Sequence, residues 1–165
     1  AVDAFSPPAA SGFGLAGWCL AVRASGGAPV IARYQRELSG AQVLEGDPET
    51  GLWRNVEEFP ASHPFVVRVG HPISALETVL SSNSGASVAR AATGVTYLAF
   101  STRDELTAWW NSPACAPWSR VVEWSPGDLE EYWAAPGPEL DWMKKLKTTF
   151  DPHNLLNRGR LYGRI

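Results

Sequence analysis

Four sets of side chains in this chain of 165 residues have types and spacing that could do chemistry. Near the carboxyl end, Arg158 and Arg160 flank Gly159, with Asn157 before them and Asp151 further upstream. Two guanidinium forks suit phosphate or carboxylate, and a glycine between them lets another surface approach the backbone closely. Gly12-x-Gly14-x-x-Gly17 has the spacing of a dinucleotide loop. It precedes a strand candidate instead of joining a strand to a helix, so flexible entry into that strand is the better reading. The three histidines, His63, His71 and His153, have no metal-ligand partner two or four residues away and read as exposed loop residues. Cys19 and Cys115 form no Cys-x-x-Cys pair and read as buried free thiols of a reducing cytoplasm. No metal site and no Ser-His-Asp or Cys-His set emerges from this inventory.

The strongest pattern is the order of residues around the arginines. Trp142-Met143-Lys144-Lys145-Leu146-Lys147 lies on an amphipathic helix, then come Phe150-Asp151-Pro152 and Leu156-Asn157-Arg158-Gly159-Arg160-Leu161-Tyr162. This segment resembles the close of FAD-linked oxidases of the vanillyl-alcohol oxidase type. Those chains often end in a helix, Phe-Asp-Pro, a few residues, and Leu-Asn-Pro-Gly followed by a basic residue. The glycolate oxidase E subunit is the most similar branch, because it too runs on to Gly-Arg-Leu-Tyr. The resemblance covers about the last 25 residues strongly; upstream it is diffuse. It implies the C-terminal cap, or substrate, domain of a flavoprotein that oxidises a small 2-hydroxy acid. It further implies that Asn157, Gly159 and Arg160 dock beside FAD without making or breaking bonds. Arg158 stands where the family has proline, which loosens the turn.

No flavin-binding half precedes this tail, and the chain opens on Ala1 without an initiator methionine. It is therefore read as an excised or processed part of a longer parent. The partners expected are the FAD-binding domain of that parent and other oxidase subunits. The part by itself is expected to hold no FAD tightly and to turn nothing over. A reading from another class stands beside this one: a stand-alone ferredoxin-like module that binds a ligand or a protein.

Composition bounds these readings. Hydrophobic residues make up 45% and charged residues 19%, the balance of one globular domain. Eight tryptophans suit a Trp-rich core, with a partner surface or aromatic pocket as the alternative. Residues 1–140 carry 8 basic and 15 acidic side chains, while residues 141–165 carry 6 basic and 2 acidic. A basic end on an acidic body can grip an anion or an acidic surface. Equally, Lys144, Lys145 and Lys147 can simply complement the helix dipole. The acidic body argues against nucleic acid, whose affinity rests on phosphate contacts. No apolar run reaches the ~20 residues of a membrane span, and Ala1–Phe5 lacks the basic start of a signal peptide.

The elements that must position these residues follow from periodicity. Residues 1–14, with Ser6-Pro7-Pro8, read as an arm or former interdomain link. Residues 15–150 read as the cap domain and 151–165 as the docking tail. Strands are expected at 18–23, 65–69, 87–91, 95–100 and 121–124, with Thr93-Gly94 turning a hairpin. Helices are expected at 30–38 (lying on the sheet), 52–59, 74–80, 104–110 and 138–150, with Leu140, Met143, Leu146 and Phe150 of the last along one face. The hairpin forces an antiparallel pair, so the expected class is α+β: a ferredoxin-like antiparallel sheet with helices packed on one face.

Overall fold

The computed structural model describes residues 1–127, 129 and 132–156. Six strands form one antiparallel sheet: β1 (Val2–Phe5), β2 (Cys19–Val22), β3 (Phe65–Gly70), β4 (Ser87–Arg90), β5 (Val95–Phe100) and β6 (Ser119–Trp124), in the spatial order β2-β1-β4-β5-β3-β6. Six α-helices accompany them: α1 (Pro7–Gly12), α2 (Ala28–Glu37), α3 (Asp47–Glu58), α4 (Leu76–Ser81), α5 (Arg103–Trp110) and α6 (Glu139–Phe150). The class is α+β with a ferredoxin-like antiparallel sheet, as the pattern of strands and helices implies.

Helices cover both faces of the sheet, one more than the sequence reading assigned. Val67 and Val69 of β3 pack with Leu98, Phe100, Val79 of α4 and Leu106 and Trp109 of α5. Val66, on the opposite side of β3, packs with Phe5, Val88, Ala9 and Ala10 of α1, Trp53 and Val56 of α3, and Phe59. A strand buried on both faces loses the polar alternation of a one-sided sheet, and Phe65-Val66-Val67 already lacks it. The Trp109 indole donates to Ser82 Oγ at 3.0 Å, tying α5 to the end of α4.

The N-terminal segment is not an arm. β1 sits inside the sheet, paired with β2 on one side and β4 on the other. Its Phe5 is fully buried. Asp3 is buried too, held by Arg90 at 3.0 Å across 87 residues of chain. Burial pushes the Asp3 carboxyl above its ordinary value, against the pull of Arg90 and the N-terminal ammonium. Ser6-Pro7-Pro8 is the start of α1, with proline in the first turn, where its missing N–H has no helical partner to lose. The packed domain thus begins near residue 2, not at residue 15.

Asp47-Pro48 opens α3, with Asp47 and Glu49 in the first turn. Thr102 closes a full capping box on α5: its hydroxyl accepts from Glu105 N, and the Glu105 carboxylate accepts from Thr102 N. The 87–100 hairpin forms around Thr93-Gly94 as expected. The segment 128–133 is described only in part: Leu129 and Tyr132 pack against the core, and Trp133 bridges to Val121.

The helix α2 does not lie on the sheet. None of its residues is buried, and Val30, Tyr34 and Leu38 are exposed. Their spacing is amphipathic, but periodicity names only an apolar face, not what covers it. Of the tryptophans, Trp53, Trp109 and Trp118 belong to the core, whereas Trp18, Trp124 and Trp142 are exposed.

Candidate functional site

The candidate site is the outer surface of α6 and the turn after it. The sequence reading put Leu140, Met143, Leu146 and Phe150 along one face. Only Leu140 of these is buried, and Met143 is half-buried. The inward line continues instead through Lys147 to Asp151, three to four residues apart at each step. Outward, Trp142, Leu146 and Phe150 form an i, i+4, i+8 stripe at 69%, 56% and 78% exposure. Leu155 and Leu156 extend the apolar surface beyond the helix end. Lys145 Nζ lies 4.8 Å from the Trp142 ring centroid, a cation–π contact at the edge of the stripe.

The turn that follows is built around one carboxylate. Asp151 leaves the helix with φ −138 and ψ 64, because a residue before proline is pushed out of the α region. Its Oδ1 accepts from Leu155 N at 2.7 Å and its Oδ2 from Leu156 N at 2.9 Å. Lys147 Nζ donates to the same carboxylate and to the Leu156 carbonyl. Asn154 takes the left-handed conformation, φ 50, and its N–H returns to the Asp151 carbonyl. The chain is thereby folded back against the end of α6, and Leu155 and Leu156 are left exposed.

Asp151 is held at about 2, below its ordinary 3.8, first by Lys147 and then by the two backbone N–H groups. A depressed carboxylate contributes stability that is complete above about pH 4 and is lost as the pH falls toward 2. Amide exchange at Leu155 and Leu156 is therefore expected to be pH-independent in its protection down to about pH 4 and to lose protection below it. Asp151→Asn is expected to raise exchange at both amides by about tenfold at pH 7, since one charged acceptor serves both. Unchanged exchange in that variant would show that the turn holds without the carboxylate.

The tail residues to which a cofactor-side role is assigned, Asn157, Gly159 and Arg160, lie outside the described residues, as does Arg158. The sequence reading missed Lys147 as the partner of Asp151, although their i, i+4 spacing is the available signal.

Other candidates sort out as structure. His71 Nδ1 lies 2.9 Å from the Pro72 carbonyl, which can only accept, so Nδ1 donates there, and Nε2 shares a hydrogen bond with the Thr96 hydroxyl at 2.8 Å. His63 stacks against Phe59 at 4.6 Å. Both rings are therefore half-buried packing groups, not exposed loop residues. Cys115 is buried and Cys19 only half-buried, on opposite faces of the sheet. Burial pushes the Cys115 thiol up, against the pull of Arg120. Gly12, Gly14 and Gly17 lead from α1 into β2, the reverse of the strand-to-helix order of a nucleotide loop.

Among the described residues, no group of three or more His, Cys, Asp or Glu is placed to hold a metal ion. Nor is any helix among them long and apolar enough to cross a membrane. What the surface of α6 can do is bind: it offers apolar area rimmed by ammonium groups and a preformed turn. Comparison with family models, curated proteins and solved structures finds no match to this chain.

Proposed function

We propose that this chain is the C-terminal cap domain of a cytoplasmic FAD-dependent oxidoreductase, similar to the glycolate oxidase E subunit, whose whole protein oxidises a small 2-hydroxy acid. The observation that carries the reading is the outward stripe Trp142, Leu146 and Phe150, continued by Leu155 and Leu156. An apolar strip of this kind on a folded domain marks a contact surface. It lies within the segment whose residue order resembles the family's closing motif. The antiparallel sheet flanked by helices also suits a cap domain, although fold alone does not specify function.

The strand-to-helix link from β2 to α2 carries Gly26-Gly27 but lacks the Gly-x-Gly-x-x-Gly spacing of a pyrophosphate loop. The flavin would therefore be held by the FAD-binding domain of the parent chain. FAD supplies the redox chemistry when bound; this domain supplies surface and position. Lys145 and Lys144 would meet acidic groups on that neighbour, while Asp151 and Lys147 hold the outgoing chain on course.

The test uses the parent protein. Its reading frame should encode a glycine-rich flavin half ahead of Ala1. Separately expressed, that half should capture this chain, and Leu146→Glu should weaken capture by about tenfold or more. The chain alone should be colourless and show no hydroxy-acid-dependent dye reduction with added FAD. An initiator codon near Ala1, or tight FAD retention with turnover by the chain itself, would reject the proposal. The same exposed stripe also suits a stand-alone ferredoxin-like module that binds a ligand or protein. An initiator codon near Ala1 would favour that reading.

A further inference from the structure

The two edges of the sheet are treated differently. The outer edge of β6 is covered: Val122 N donates to the Tyr132 carbonyl at 2.7 Å, Ala134 N donates to the Arg120 carbonyl at 3.0 Å, and Val121 bridges to Trp133. β2 stands at the opposite end, and among the described residues its strand pairs with β1 alone. Soluble proteins usually guard such an edge with lysine, proline, a bulge or a covering segment. Residues 17–22, Gly-Trp-Cys-Leu-Ala-Val, contain no charge and no proline. Arg23, the first charge beyond them, is turned toward α3, where it pairs with Glu49 at 3.2 Å and sits over Trp53.

Exposed apolar side chains lie on one face of this edge. Cys19 and Ala21 face the core formed with α1 and α3. Trp18, Leu20 and Val22 alternate with them onto the other face and are 59%, 66% and 40% exposed. The uncovered α2, with Val30, Tyr34 and Leu38, follows after a five-residue link.

We propose that β2 is the pairing edge of a two-fold homodimer. A two-fold axis perpendicular to the sheet, midway between two β2 strands at the level of Leu20, pairs them antiparallel so that paired residues share a face. It sets Leu20 against Leu20 of the second copy, Trp18 against its Val22, and Cys19 against its Ala21. Each match is apolar on apolar, the type of cross-strand pair that stabilises a sheet. Since the segment carries no charge, the two-fold brings no like charges together, and the interface is self-complementary as such symmetry requires. The result is a continuous twelve-stranded sheet built from two six-stranded ones. Pairing of the two strands covers part of Trp18, Leu20 and Val22 in each copy, which are otherwise exposed apolar side chains. This interface is separate from the α6 surface and does not depend on the flavin reading.

Sedimentation equilibrium of the whole chain tests it. The expected mass at micromolar concentration is twice 17.9 kDa. Leu20→Lys should return the 17.9 kDa species with an unchanged circular dichroism spectrum. Leu146→Lys, on α6, should leave the dimer intact. A single monomeric species up to about 100 μM, or a Leu20→Lys variant that remains dimeric, overturns the proposal. Should Leu20→Lys fail to fold, amide exchange of the unaltered chain decides. Protection of the outward N–H groups among residues 19–22 must fall on dilution, and protection independent of concentration overturns the proposal.

Discussion

Phe5→Ala is expected to lower the stability of the domain by about 3–5 kcal/mol, the range for a large aromatic removed from a packed core. Phe5 is fully buried although it lies only five residues into the chain. Its ring meets Phe13 edge-on at a centroid distance of 5.2 Å, and Phe13 in turn meets Phe59 at 6.4 Å. Its strand is flanked by β2 and β4, so a cavity there cannot collapse toward solvent. The next residue adds a polar lock: Ser6 Oγ accepts from Ser87 N at 2.8 Å and donates to the Gly85 carbonyl at 3.3 Å. An arm or linker would respond within about 0.5 kcal/mol, as surface substitutions do. Urea unfolding monitored by tryptophan fluorescence separates the two. A loss under about 1 kcal/mol would mean that β1 is not an integral strand of the folded domain.

Gly94→Ala is expected to cost about 2–4 kcal/mol, from two sources that a control separates. The residue has φ +67, where an L side chain is strained. A Cβ there would also lie 2.2 Å from the His71 carbonyl oxygen, which is backbone and cannot step aside alone. Relieving the clash would pull on the His71 N–H that donates to the Gly94 carbonyl at 2.8 Å. It would also disturb the imidazole seated on Thr96. Gly17 has nearly the same φ, +72, but open space around a built Cβ. Gly17→Ala should therefore show the conformational strain alone, roughly 1–2 kcal/mol. Equal losses in the two variants would mean that the close approach to His71 contributes nothing.

Strands β3, β5 and β6 and the hairpin were legible because each is a short apolar run bounded by turn residues. The helix α5 was legible from its own periodicity over 104–110, whereas the capping box of Thr102 and Glu105 that fixes its start emerged only in the structure. The helix end at Asp151-Pro152 was legible too, since proline acts on its immediate neighbour. β1 was hidden because Val-Asp-Ala-Phe is too brief to show a period, and its burial comes from β4, more than eighty residues away. The inward side of α6 was misassigned for a related reason. Lys147 and Asp151 look like surface residues until their mutual pairing, with two backbone N–H groups, makes the inward position tolerable. That pairing leaves Leu146 and Phe150 to solvent.

The amino-acid order by itself determined the class, an antiparallel α+β sheet, together with the local devices that start and stop its elements. Those follow from backbone sterics and hydrogen bonds within a few residues. Only the tertiary structure decided which apolar faces are core and which are surface. The helices α2 and α6 both carry apolar residues at helical spacing, and nothing in a periodicity states whether a sheet, a partner or water lies opposite. That choice depends on contacts between residues far apart in the chain, where burial, not propensity, decides.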